Sequence, residues 1–248
     1  MKRWVRAFFM ALGMFTALPC PYRPWDEDGR GRMLVCLPIV GALIGALWYA
    51  LALLGRRLLP ATAAELIAAL PWLLTGFIHL DGFMDTSDAL LSWRPLEERL
   101  RILKDAHAGA FAVISLGLLI LFSDGAARRI AAEADLRGLL FIPVVSRCGS
   151  AFCVLTLKPI GHSQYSAVKG TAAQRLAVAA MWLASMAACA AWLGPLVIAP
   201  AAGTLAYALA MLWAYRTLKG VSGDTAGFAL TVSECAALTT LANCAWWF

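Results

Sequence analysis

The chain has 248 residues, 61% of them hydrophobic and only 15% charged, with a mean hydropathy of +0.73 and a formal net charge of +6. These proportions exclude an ordinary soluble domain and describe an all-α, polytopic integral membrane helical bundle. Strands that alternate polar and apolar residues are missing, which sets a membrane barrel aside, and no basic cluster offers a nucleic-acid surface.

The first twenty residues open on Lys2, Arg3 and Arg6 and continue as an apolar run ending near Leu18. A signal peptide begins the same way, but a small-x-small cleavage site is missing, and Pro19 before Cys20 spoils a lipoprotein box. The expectation is an uncleaved helix lying at the membrane interface. Residues 21–32 are polar and rich in Pro and Gly, and read as a loop. Apolar runs of about 20 residues, the length that crosses a bilayer, then predict seven spans at 33–54, 64–80, 109–127, 138–157, 173–193, 196–215 and 228–246. The second is short and contains Pro71, and the fifth and sixth are separated only by Gly194-Pro195, a tight hairpin. With the N-terminus inside, the inner segments carry 15 Lys and Arg and the outer segments 5. By the positive-inside rule this puts the N-terminus in the cytoplasm and the C-terminus outside. The seven Cys form no Cys-x-x-Cys pair and read as free, membrane-buried thiols. No second domain, repeat or low-complexity tract is visible, so residues 1–248 form one integral membrane domain.

The most informative stretch is Gly76 to Asp88, at the inner end of the second span. Asp81, Asp85 and Asp88 stand at i, i+4 and i+7, one face of a helix. A solvated, acidic helix start would show the same spacing. Against it, the flanks Ile78, Leu80, Phe83, Met84 and Leu90 are apolar, and the whole chain has only 15 acidic residues. Carboxylates in a bilayer cost roughly 2.5–3.5 kcal/mol each, and a hard divalent cation is the commonest reason to keep three together. His79 just before them could orient a carboxylate or a phosphate, or simply end a helix.

The next polar stretch, Lys104-Asp105-Ala-His107-Ala-Gly109, leads into the third span. A helix N-terminus with a Lys and a His nearby suits phosphate; a juxtamembrane basic anchor is the competing reading. The third stretch is Gly220-Val-Ser-Gly223-Asp224-Thr225-Ala-Gly227. Its glycines would let backbone approach a ligand, or make a turn, and Asp224 adds a fourth carboxylate on the same face. Arg147 lies inside a span and must pair or bind an anion. Glu234 sits in an apolar run and should face inward. His162 reads as a loop residue. Together these features suggest metal-assisted chemistry on a phosphate ester at one membrane face.

The segments His79-Leu-Asp81-Gly-Phe-Met-Asp85-Thr-Ser-Asp88, Lys104-Asp105-Ala-His107-Ala-Gly109-Ala-Phe111 and Gly220-Val-Ser-Gly223-Asp224-Thr225-Ala-Gly227, with the opening Phe8 to Pro21, resemble the adenosylcobinamide-GDP ribazoletransferase (cobalamin-5′-phosphate synthase) family. Ala89, Ala106 and His107 depart from that family's usual residues. The resemblance implies an enzyme of the bacterial or archaeal cytoplasmic (inner) membrane, with its site facing the cytoplasm. It would join adenosylcobinamide-GDP to α-ribazole or its 5′-phosphate and release GMP, with Mg²⁺ as cofactor. It implies Asp81, Asp85, Asp88 and Asp224 as metal ligands, with Asp81, Asp85, Lys104, Asp105 and His107 catalytic. His79, Lys104, Arg147, Gly220, Gly223 and Thr225 would bind substrate. Partners beyond the substrates would be the lipid bilayer, and a homo-oligomer or other cobalamin-assembly enzymes. Two rivals stay open on residues alone: a CDP-alcohol phosphotransferase, whose Ala-Arg pair after the first Asp-Gly is replaced here by Phe83-Met84, and an ion-coupled transporter, which would need acids near the midplane and two related halves.

Overall fold

The structure, a computed structural model, describes residues 2–133, 135–161, 168 and 170–244. Among them are ten α-helices: α1 (Lys2–Phe15), α2 (Arg30–Leu58), α3 (Ala63–Leu74), α4 (Ile78–Leu91), α5 (Leu96–Ile102), α6 (Ala110–Ala132), α7 (Ile142–Thr156), α8 (Ala172–Leu193), α9 (Ile198–Leu218) and α10 (Gly223–Cys244). The one β-like pairing among the described residues is an isolated bridge between Pro159 and Val221. His162 lies outside the described residues, as does the end of the last expected span.

Among the described residues, five helical runs are long and apolar enough to cross a bilayer, and six if a bent pair counts as one. The longest, Ala172–Leu218, doubles back at Gly194, whose φ is +57°; Trp182 Nε1 donates to Thr204 Oγ1 across the hairpin at 3.1 Å. The expected seven spans are thus six long helices and one bent pair. α1 is the helix expected at the N-terminus: its basic start is exposed, and Ala7, Met10, Ala11 and Phe15 are buried against the bundle.

The expected span 64–80 needs correction. It is not one helix: α3 stops at Leu74, and α4 departs at 89° to it. Gly76 and Phe77 both adopt left-handed backbone, with φ of +59° and +63°, and two such residues cannot continue a right-handed helix. A helix end inside a bilayer must satisfy its last carbonyls internally. Here each finds a donor: Pro71 O accepts from Thr75 N and Thr75 Oγ1, Leu73 O from Gly76 N, Trp72 O from Phe77 N, and Leu74 O from Ala17 N at 2.9 Å. The last bond ties the segment after α1 to the break, so the N-terminal stretch completes the bend.

Small residues set the close crossings. Gly41 and Gly45 of α2 lie against the carbonyls of Pro143 and Leu140, where any Cβ would collide. Gly203 of α9 lies against α10, and its carbonyl accepts from Ser233 Oγ at 2.7 Å. α10 is the central helix; it packs on α4, α6, α7 and α9 and is largely buried. The core falls into two clusters along the bundle. One, around Met33, Leu34, Phe83 and Phe228, underlies the acidic end. The other, around Trp48, Ile67, Leu139 and Leu241, fills the opposite end. All described cysteines are free.

Candidate active site

The acidic triad is carried by α4, and Asp224 by the first turn of α10. The two helices meet at glycines. A Cβ on Gly82 would stand 2.7 Å from Asp224 Cα, and one on Gly227 3.2 Å from the His79 backbone. Thr231 Oγ1 donates to His79 O at 3.2 Å, and the rings of Phe83 and Phe228 stack 5.7 Å apart. This crossing fixes Asp224 beside the triad. Asp85, half-buried, feels the negative charge of Asp81, Asp224 and Asp88. Among the described residues, no Lys, Arg or His forms an ion pair with any of the four.

The start of α10 holds Asp224 by a local exchange of hydrogen bonds. Thr225 N donates to Ser222 Oγ at 3.2 Å and Ser222 N to Thr225 Oγ1 at 2.8 Å, a variant of the capping box. Ser222 Oγ also lies 3.2 Å from Asp224 Oδ2. Thr225 is fully buried and committed to this cap. Gly220 has an architectural task too: Ile160 N and Pro159 C crowd where its Cβ would be, beside the bridge in which Ile160 N donates to Val221 O at 2.9 Å. Gly223, by contrast, lines a cavity of about 80 Å³ together with His79, Asp81, Ser150, Asp224 and Phe15.

Asp88 is drawn to a different neighbour. Its carboxylate lies against Gly109 and within 3.4 Å of Ala112 N, at the N-terminus of α6. Gly109 has no side chain to cap that helix, so Asp88 supplies the anion from another helix. The contact also brings the loop before α6 to the acidic end. There Asp105 Oδ1 accepts from His107 N at 3.0 Å and pairs with His107 Nδ1 at 2.8 Å, with both side chains exposed. Those two bonds, the side-chain one foremost, hold the Asp105 carboxyl below the usual range. Lys104 is exposed on the same loop.

Arg147 is placed apart from the cavity lining. Its side chain is fully buried, and Nη1 meets Glu234 Oε1 at 2.6 Å. Ser146 Oγ lies 3.0 Å from the same Glu234 oxygen. The expectation that Arg147 must pair inside the membrane and that Glu234 faces inward is met by one contact. Ser146 and Ser150 escaped sequence reading, because isolated serines in an apolar run carry no pattern.

The four carboxylates suit a hard divalent cation in kind and charge, being oxygen donors only, like-charged and without an ion pair among the described residues, and Asp81 and Asp224 line the cavity. The described residues contain no group of three or more His, Cys, Asp or Glu placed to hold a metal ion. Mg²⁺ does not need one, since it keeps several waters and substrate oxygens around one or two protein carboxylates.

The profile of the family described as cobalamin-5-phosphate synthase matches residues 7–242. A protein of Clostridium botulinum (strain Alaska E43 / Type E3) named adenosylcobinamide-GDP ribazoletransferase is 35% identical over 247 residues, covering 94% of this chain and 96% of its own length. Proteins of the same name from Clostridium perfringens (strain 13 / Type A) and Brevibacillus brevis (strain 47 / JCM 6285 / NBRC 100599) are 36% and 30% identical; they cover 94% and 98% of this chain, and 96% and 100% of their own lengths. No solved structure matches. A full-length match of this kind, on a helical bundle whose acidic helix crosses α10 at Asp224, places the chain in the cobalamin-5-phosphate synthase family, and it is an enzyme of cobalamin assembly.

Proposed function

We propose that this enzyme joins adenosylcobinamide-GDP to α-ribazole or α-ribazole 5′-phosphate and releases GMP, in a Mg²⁺-dependent reaction at the cytoplasmic face of the inner membrane. The names of the relatives supply the substrates. The observation that carries the site is the unneutralised group Asp81, Asp85, Asp88 and Asp224 at the crossing of α4 and α10. The charge bias of the loops, 15 against 5, supports the cytoplasmic orientation.

Asp81 and Asp224, which line the cavity, would hold the ion together with water and substrate oxygens; Asp85 adds negative charge beside them, and Asp88 stands at the edge because that carboxylate also caps α6. The ion would offset charge on the pyrophosphate and on the departing GMP. The ribose hydroxyl of the acceptor attacks the cobinamide-side phosphorus, and the P–O bond to GMP breaks with its electron pair leaving on GMP. The hydroxyl proton goes to His107, whose Nδ1 is engaged by Asp105 and whose Nε2 is left to accept it. Lys104 adds positive charge for phosphate on the same loop. The apolar walls of the cavity, Phe15 among them, limit water around the phosphates.

The test is GMP release by purified protein in detergent or liposomes, given both substrates, with Mg²⁺ or with EDTA. Release that needs Mg²⁺ and both substrates is the expected result. Folded protein that releases no GMP under any of these conditions would discard the reading.

A further inference from the structure

The buried pair Arg147–Glu234 is only half accounted for. Arg147 Nη1 is saturated by Glu234 Oε1, Ser146 Oγ and Pro143 O. Its Nε and Nη2 are sealed from solvent without a partner. One more buried nitrogen nearby is in the same position: His79 Nε2. The packing brings the two groups to one region: His79 O accepts from Thr231 Oγ1, three residues before Glu234 on α10, and Ser150, three residues after Arg147 on α7, lines the same cavity as His79. The His79 ring cannot turn freely, because it stacks on Phe15 at 6.1 Å with an interplanar angle of 12°, and its backbone is held by Thr231 and packed on Gly227. The stem of Arg147 is equally confined, its Cδ lying over Gly41.

A guanidinium has donors and no acceptor. The imidazole nitrogen on its side must therefore be the bare one. We infer that Glu234 and Arg147 act as positioning residues: Glu234 aims Arg147, the spare N–H groups of Arg147 serve His79 Nε2 through one trapped water, and His79 thereby presents Nδ1–H to the cavity shared with Asp81 and Asp224. The donor at the cavity wall would hold a phosphate oxygen of the donor substrate at the metal-binding carboxylates. The inference rests on the proposed reaction only for the identity of that oxygen. The coupling of Glu234, Arg147 and His79 stands on the geometry.

The chemistry separates this from a merely structural ion pair. Removing both charges of a buried pair together is often neutral for the fold, whereas removing one is not. The double variant R147M/E234M should therefore insert and fold, keep KM for both substrates within about threefold, and lose about thirtyfold or more in kcat. Adding H79Q to it should cost little further, because the three act in one line. Arg147→Lys keeps the charge opposite Glu234 but removes the forked donors, and should show the same loss of kcat with the fold intact. A double variant or an R147K protein with wild-type kcat, or a multiplicative effect of H79Q, would overturn the proposal.

A second readout needs no turnover. The chain has three histidines, so the ring-¹⁵N spectrum of labelled protein can be assigned by substitution of His107 and His162. His79 should be a single Nδ1–H tautomer in the wild type and a mixture in R147M/E234M or R147K. An unchanged His79 signal in the folded variants would overturn the coupling even if the reaction proposed above proved wrong. Failure of wild-type GMP release with a changed His79 signal would leave the coupling standing and remove only the assigned phosphate.

Discussion

Gly82→Ala is the sharpest probe of how the site is built. The new methyl carbon would stand 2.7 Å from Asp224 Cα and 2.9 Å from Asp224 O. Ordinary contact begins at 3.4 Å, so α4 and α10 must separate by some 0.7 Å at the point where their carboxylates meet. The obstacle is backbone, which cannot rotate away. Overpacking of this kind costs roughly 1–3 kcal/mol of stability, and a displacement approaching 1 Å between groups that share one reacting centre costs about a hundredfold in rate. The assay pairs thermal unfolding in detergent with GMP release per folded molecule. The expected result is a modest loss of stability and a large loss of kcat, since Asp81 and Asp85 move against Asp224. A G82A protein that unfolds earlier yet turns over at the wild-type rate would refute the idea that this crossing sets the spacing of the carboxylates.

Other substitutions separate the roles within the acidic helix. Asp85→Ala should abolish Mg²⁺-stimulated GMP release while the protein inserts normally; full activity would sink the metal-site assignment. Asp88→Ala should destabilise α6 by about 1 kcal/mol, the usual worth of an N-cap, and Asp88→Asn should recover most of that stability, both read by thermal unfolding. His107→Ala should lower kcat by about a hundredfold, within the range for a general base, with little effect on KM, and Asp105→Asn should fall between it and wild type. The His107 hydrogen bonds hold the Asp105 carboxyl below the usual carboxylate range; it therefore stays ionised through that range and takes up its proton only as pH falls below it. The rate profile across neutral pH should show no limb from Asp105, and the appearance of one would move that residue to a different role.

Much of this arrangement was legible in the chain, for physical reasons. Long apolar runs can only be buried or lipid-facing, so the bundle and the hairpin at Gly194 follow from composition and one break. The i, i+4, i+7 spacing of Asp81, Asp85 and Asp88 is helix geometry and survives intact in α4. What could not be read are contacts that join distant segments. The break at Thr75–Phe77 depends on a left-handed Phe77 and on Ala17 N reaching Leu74 O, and neither leaves a local mark. Gly220 looks like a ligand-approach glycine, yet its neighbour is the chain at Ile160. Asp88 looks like its two companions, but 24 residues later a glycine-started helix recruits it as a cap. Arg147 and Glu234 each required a partner, and nothing along the sequence says that they are each other's.

The position of α10 in the chain has a consequence for biosynthesis. Asp224 is made 143 residues after Asp81, and at roughly 5–20 residues per second the acidic helix waits on the order of ten seconds for its counterpart. Throughout that interval the nascent protein has three repelling carboxylates and no opposite wall. The glycine crossing, the His79 carbonyl contact and the aromatic stack all arrive with α10. Assembly of the reactive centre thus waits on α10, and a ribosome that stops before α10 leaves a membrane protein with an acidic helix that has nothing to close on.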